Sequence, residues 1–125
     1  MATNPASEQP TTTGLTDPED LKLVTLARAT RARTSAEQGA GVRDLDGRTY
    51  AAATVDLPSL RLSAVQVAVA MAVASGARGL EAVLVLGDAS AVAEQDLCAV
   101  RDFAGAGVPV HLVAPDGTVV GSVRS

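Results

Sequence analysis

"QGAGVRDLDGRTYAAATVD", residues 38–56, is the stretch that decides the fold. Its Asp46-Gly47 pair lies between two short runs and reads as a tight β-hairpin turn. The arms extend from about Gln38 to Val55 and are rich in glycine and alanine, so neighbouring elements must pack against them closely. Upstream, "TDPED" opens a first helix. Either Thr16 and Glu19 form a capping box, or Asp17 caps with Pro18 in the first turn. Arg28, Arg31 and Arg33 near its end suit the helix dipole.

Downstream, an apolar segment from about Leu60 to Ser75 reads as a second helix ended by Gly76. It is apolar on nearly every face, which predicts cover from several sides. "LEAVLVLG" is a continuous apolar run of strand length, as in an interior strand covered on both faces. In "SAVAEQDLCAVRDFAGAG", Ala93, Leu97, Val100 and Ala104 recur at helical spacing. "VPVHLVA" is a further strand, "PDG" a turn and "TVVGSVR" a last, short strand. The order α-β-β-α-β-α-β-β predicts an α/β domain with about three helices on a five-stranded mixed sheet. Right-handed crossovers would give it a mostly parallel centre.

A length of 125 residues suits one domain. Residues 1–15 are dominated by Thr, Ser, Pro and Asn and are expected to form a flexible tail, with residues 16–125 as the domain. Tyr50 and Phe103 are the sole aromatics, the net charge is −4 and no basic run occurs, which argues against nucleic-acid binding. A single cysteine, Cys98, forbids an internal disulfide and fits a reducing cytoplasm. The N-terminus lacks the basic and apolar regions of a signal peptide. The longest apolar stretch, Ala64 to Ala74, is interrupted by Gln66 and falls short of the ~20 residues that span a bilayer. A cytoplasmic protein without membrane contact is expected.

The hairpin text and the element order resemble the cytidine deaminase family. Its hairpin commonly reads Val-Gly-Ala-Ala, a turn with Asp-Gly, then Tyr-x-Gly-x-Asn-x-Glu, and the stretch 38–56 follows it without a gap. The likeness runs from about Leu21 to Ser122. It implies a three-layer α/β/α cytidine deaminase-like fold. It also implies a homo-oligomer with sites near subunit interfaces, and a zinc centre at the starts of the second and third helices.

The motifs that would hold that zinc are missing. Where the family places Cys-Ala-Glu or His-Ala-Glu, this chain reads "SAV", so Ser63 stands at a ligand position and Val65 at that of the proton-shuttling glutamate. Matching Phe103 to the aromatic of the family's Pro-Cys-x-x-Cys helix puts Ala93 and Asp96 at the other two ligand positions. Cys98 misses by two residues. The Asn and Glu that hold ribose and base become Thr54 and Asp56, and the aromatic ahead of the hairpin becomes Ala36.

Zinc that activates water needs about three protein ligands and one open position. A glutamate must then carry protons to the ring and the leaving amine. One cysteine and one histidine cannot complete that sphere, and valine cannot shuttle protons. The sequence therefore predicts no catalytic residue, no metal ligand and no cofactor. The expected function is a cytidine deaminase-like, catalytically inactive module that binds a nucleoside-like molecule or a protein partner, with a residual pocket near Thr54, Asp56 and Ser63. The alternative is an active pyrimidine nucleoside deaminase, hydrolysing cytidine to uridine through an unrecognised centre. The remaining candidates have structural readings. Cys98 is expected to pack, His111 to be a satisfied strand histidine, Ser63 to cap the second helix, and Glu94, Asp96 and Asp102 to form a solvated face.

Overall fold

Asp44 organises the hairpin turn. The computed structural model describes residues 15–125 and places β1 at Gly39–Asp44 and β2 at Thr49–Ala53, paired antiparallel. The Asp44 carbonyl accepts from the Gly47 amide at 3.0 Å, and its Oδ1 accepts from the Asp46 and Arg48 amides, each at 2.9 Å. The Tyr50 hydroxyl donates to the other carboxylate oxygen at 2.8 Å. Gly47 supplies the positive φ of 87° that the turn requires. Burial pushes the Asp44 carboxyl up, but the Tyr50 hydroxyl and the two amides outweigh it and hold the group below its ordinary value.

The first helix, α1 (Pro18–Thr34), is capped by Asp17, whose side chain accepts from the Glu19 amide at 2.8 Å. Of the two caps the sequence offered, Asp17 with Pro18 is the one formed. Gly39 lies under this helix. A Cβ there would collide with the Ala27 carbonyl oxygen, so the glycine sets how near α1 approaches the sheet. Leu23, Val24 and Ala27 of α1 pack on Leu84, Leu86 and Val113. The expected tail over residues 1–15 lies outside the described residues except for Leu15, which is buried in this same cluster.

After β2 come two short antiparallel strands, β3 (Val55–Leu57) and β4 (Leu60–Leu62), and then α2 (Ala64–Ala74). This corrects the expected start of the helix at Leu60. Leu60 and Leu62 pair in extended form with Leu57 and Val55. The capping box then starts the helix: the Gln66 amide donates to Ser63 Oγ at 3.1 Å and the Ser63 amide to Gln66 Oε1 at 3.0 Å.

β5 (Leu80–Leu86), α3 (Glu94–Ala104), β6 (Pro109–Val113) and β7 (Val119–Arg124) complete the chain. The five-stranded sheet runs β2-β1-β5-β6-β7. Among the described residues only β5 and β6 pair in parallel, so the centre is less parallel than the element order suggested. The reason is the position of β1. It sits between β2 and β5 and is antiparallel to both, so those two strands run the same way without touching. On β5, Ala82, Leu84 and Leu86 face α1, whereas Val83 and Val85 face α2 and α3. Helices thus cover both faces, giving the three-layer α/β/α arrangement with a mixed sheet. Among the described residues no helix is long and apolar enough to cross a membrane.

Candidate functional site

The N-termini of α2 and α3 meet at one end of the sheet. Both start sharply after an extended residue, Ser63 and Ala93 respectively. Ser63 uses its oxygen twice. It accepts the Gln66 amide and donates its own proton to Asp96 Oδ1 at 2.5 Å. Asp96 occupies the third position of α3, one helical turn before the fully buried Val100, on the inward side of the helix. That position leaves it 3% exposed and corrects the expectation of a solvated acidic face. Glu94 and Asp102 are exposed as expected.

Burial pushes the Asp96 carboxyl above its ordinary value, with the Ser63 hydrogen bond opposing. Among the described residues, none makes an ion pair with it. A cavity of about 500 Å³ opens beside the pair. Polar groups on its wall come from Glu37, Gln38, Thr54, Arg61, Gln66, Gln95, Ser63 and Asp96, and Val85 and Val92 supply apolar surface. This volume lies within the range of small-molecule sites.

Two of the three residues singled out for a residual pocket, Thr54 and Ser63, line this cavity. Thr54 is held by Gln38, whose amide donates to Thr54 Oγ1 at 3.0 Å. Asp56 is not on the wall. It sits on β3, where it is exposed and forms a 3.4 Å ion pair with Arg61. The side chains alternate along that strand, so Asp56 points away from the side its neighbours present. Asp96, which was not among the expected pocket residues, is the deepest ionisable group of the site. Its i, i+4 relation to Val100 was the available signal.

The other candidates fall elsewhere. Cys98 is exposed and does not pack, because two residues from Asp96 carries it to the opposite side of α3. His111 lies on β6 on the α1 side of the sheet. Its Nδ1 is 2.8 Å from Ser122 Oγ and its Nε2 is 3.7 Å from Asp20 Oδ2. Burial holds it below the ordinary histidine value. Asp20 opposes that shift, and Arg43 and Arg124 add to it.

A profile of the cytidine deaminase-like family matches residues 16–117. The chain belongs to this family. Three solved structures are similar in fold. The cytidine deaminase of Burkholderia pseudomallei has a TM-score of 0.73 at 22% identity, covering 82% of this chain and 90% of its own. That of Mycobacterium leprae has a TM-score of 0.65 at 21% identity, covering 86% and 94%. That of Mycobacterium tuberculosis has a TM-score of 0.64 at 19% identity, covering 84% and 93%. No curated protein matches the chain.

The donor set at this junction does not suit zinc. The three positions aligned with ligands carry a hydroxyl, a methyl group and one carboxylate, and the hydroxyl and carboxylate are already bound to each other. Among the described residues no three His, Cys, Asp or Glu side chains stand close enough together to hold a metal ion. Val65, where a proton shuttle would stand, is fully buried in the apolar core.

Proposed function

We propose that this protein is a non-catalytic member of the cytidine deaminase-like family that binds a nucleoside-like molecule in the cavity between the starts of α2 and α3. The 2.5 Å hydrogen bond from Ser63 to Asp96 carries this reading. It ties together the two side chains that would otherwise be free to ligate an ion. Hydrolytic deamination requires an activated water and a group that moves protons beside it. Ser63 has committed its proton to Asp96, and Val65 has none to give. The cavity nevertheless keeps a wall of amide, hydroxyl and carboxylate groups suited to a small polar ligand. In this reading Thr54, Ser63 and Asp96 contact the ligand and residues 16–125 form the binding domain.

A second copy of the chain is the expected macromolecular partner. The outward side of α2 carries no charge, and Met71 and Val73 are exposed on it. Light scattering of the full chain should report a dimer or larger, and a monomer at working concentration would refute this part.

The test of function joins three measurements on one preparation of the full chain: metal content, calorimetric titration with cytidine and uridine, and the ultraviolet change of cytidine deamination. Saturable binding without turnover or stoichiometric zinc is expected. Cytidine turnover that a chelator abolishes would overturn the proposal in favour of an active deaminase.

A further inference from the structure

A carboxylate taken out of water normally has a cation beside it, because its ionised form is costly to bury alone. Asp96 departs from that rule. It is 3% exposed and faces the cavity, and Ser63 is its one hydrogen-bond donor among the described residues. Ser63 offers no second proton. Among the described residues three ionisable side chains line the cavity: Asp96, Glu37 and Arg61. Two are acids, and the one base is engaged with Asp56, both of them largely in solvent. The remaining polar wall is neutral, from Gln38, Thr54, Gln66 and Gln95. A first-turn acid favours the helix dipole equally well from the surface. The dipole therefore does not account for an acid turned inward onto an open cavity whose one cation, Arg61, pairs with Asp56 and not with it.

We infer that the cavity selects ligands that bring a planar, positively charged N–H edge, of the amidinium, guanidinium or protonated amino-heterocycle type, to the free oxygen of Asp96. Such an edge supplies the missing cation and the missing donor together, as a charge-assisted hydrogen bond inside a partly desolvated site. A base that presents a carbonyl oxygen there meets a carboxylate and is repelled. The side-chain amides of Gln38 and Gln95, and the NH2 of Gln66, remain available to the rest of the molecule. Asp96 thereby becomes the residue that determines specificity. The inference rests on the reading of this cavity as a nucleoside-like binding site, and it adds which kind of base that site prefers.

The test titrates the full chain and D96N by calorimetry at neutral pH with three probes: uridine, a cytidine methylated on its ring nitrogen, whose base is then protonated and offers a charged exocyclic N–H, and benzamidine. D96N is isosteric and can still accept from Ser63, and its melting profile checks that it folds. The unmodified protein should bind the methylated cytidine about tenfold or more tightly than uridine, and D96N should lose that preference. Uridine binding as tightly as the charged nucleoside would overturn the inference and leave the nucleoside reading standing. Asp96-dependent binding of benzamidine alone would support the inference and overturn the nucleoside reading. No binding of any probe by the unmodified protein would overturn both. The preference within the unmodified protein decides the matter even if the variant does not fold.

Discussion

Replacing Ser63 with alanine removes one oxygen that serves two partners, the Gln66 amide at 3.1 Å and the Asp96 carboxylate at 2.5 Å. Loss of a serine N-cap costs about 1 kcal/mol. Leaving a buried carboxylate without its donor costs about 1–3 kcal/mol more. Water in the adjoining cavity can replace part of the second loss, so the expected total is about 2 kcal/mol, within the summed range. The effect should depend on pH. The Ser63 hydrogen bond opposes the upward push of burial on Asp96, so S63A raises that carboxyl further. Above the folded pKa the ionised group lacks its donor and the destabilisation is full. Below it, the protonated carboxyl can donate for itself and the destabilisation shrinks toward the capping loss. Urea denaturation of both proteins at mildly acid and mildly alkaline pH measures this difference. A double-mutant cycle with D96N should give a coupling of about 1 kcal/mol. A destabilisation below about 0.5 kcal/mol, or one that is the same at both pH values, would refute the assignment of Ser63 as the donor to Asp96.

Two further outcomes follow from neighbouring features. Asp96 has a folded pKa above its unfolded value, so its stabilisation is complete below the unfolded pKa and is lost as pH rises through the folded one. The denaturation free energy of D96N should therefore fall less steeply than that of the unmodified protein across this window, and parallel pH profiles would contradict the shift. G39A should destabilise the fold by about 3 kcal/mol, since its Cβ meets the Ala27 backbone rather than a side chain that could turn aside. A melting temperature unchanged from the parent would show that α1 sits farther from β1.

The sequence discloses the elements whose signal is local. Asp46-Gly47 marks its hairpin because few dipeptides tolerate the backbone such a turn needs, and the run from Leu80 to Leu86 marks its strand because both faces are covered. Signals that depend on partners distant in sequence are less legible. Leu60 and Leu62 look like the first turn of an apolar helix, and only the pairing with Leu57 and Val55 makes them a strand. The antiparallel contact of β1 with β5 leaves no mark in either segment. Thr54 and Ser63 could be placed at the site by likeness to the family's motifs, and both line the cavity. Asp96 reads as one acid among three on a helix, since neither its burial nor its partner is visible without the position of α2, 33 residues away along the chain. Cys98 is misread for the complementary reason. Its type predicts burial, but its angular position on α3 puts it in solvent.

The apolar second helix can then be understood from its ends rather than its middle. A helix start leaves backbone amides without partners, and these attract whatever acceptor stands in front of them. At α2 the acceptors are its own: Ser63 takes the Gln66 amide, and Gln66 returns the favour to the Ser63 amide. The proton left on Ser63 goes to Asp96 and joins the start of α2 to the start of α3. The side chains of Ser63, Gln66 and Asp96 therefore form one connected set at this junction, with one oxygen of Asp96 left over among the described residues. Behind the junction, Val65, Ala68, Val69 and Ala72 are sealed against the sheet by apolar contact alone. The fold can hold this end together without any ion, because side-chain hydrogen bonds and close packing supply the cross-link. The other oxygen of Asp96 faces a cavity whose one base among the described residues, Arg61, pairs with the exposed Asp56. The second helix thus fixes one wall of the cavity and orients, through Ser63, the acid on the other.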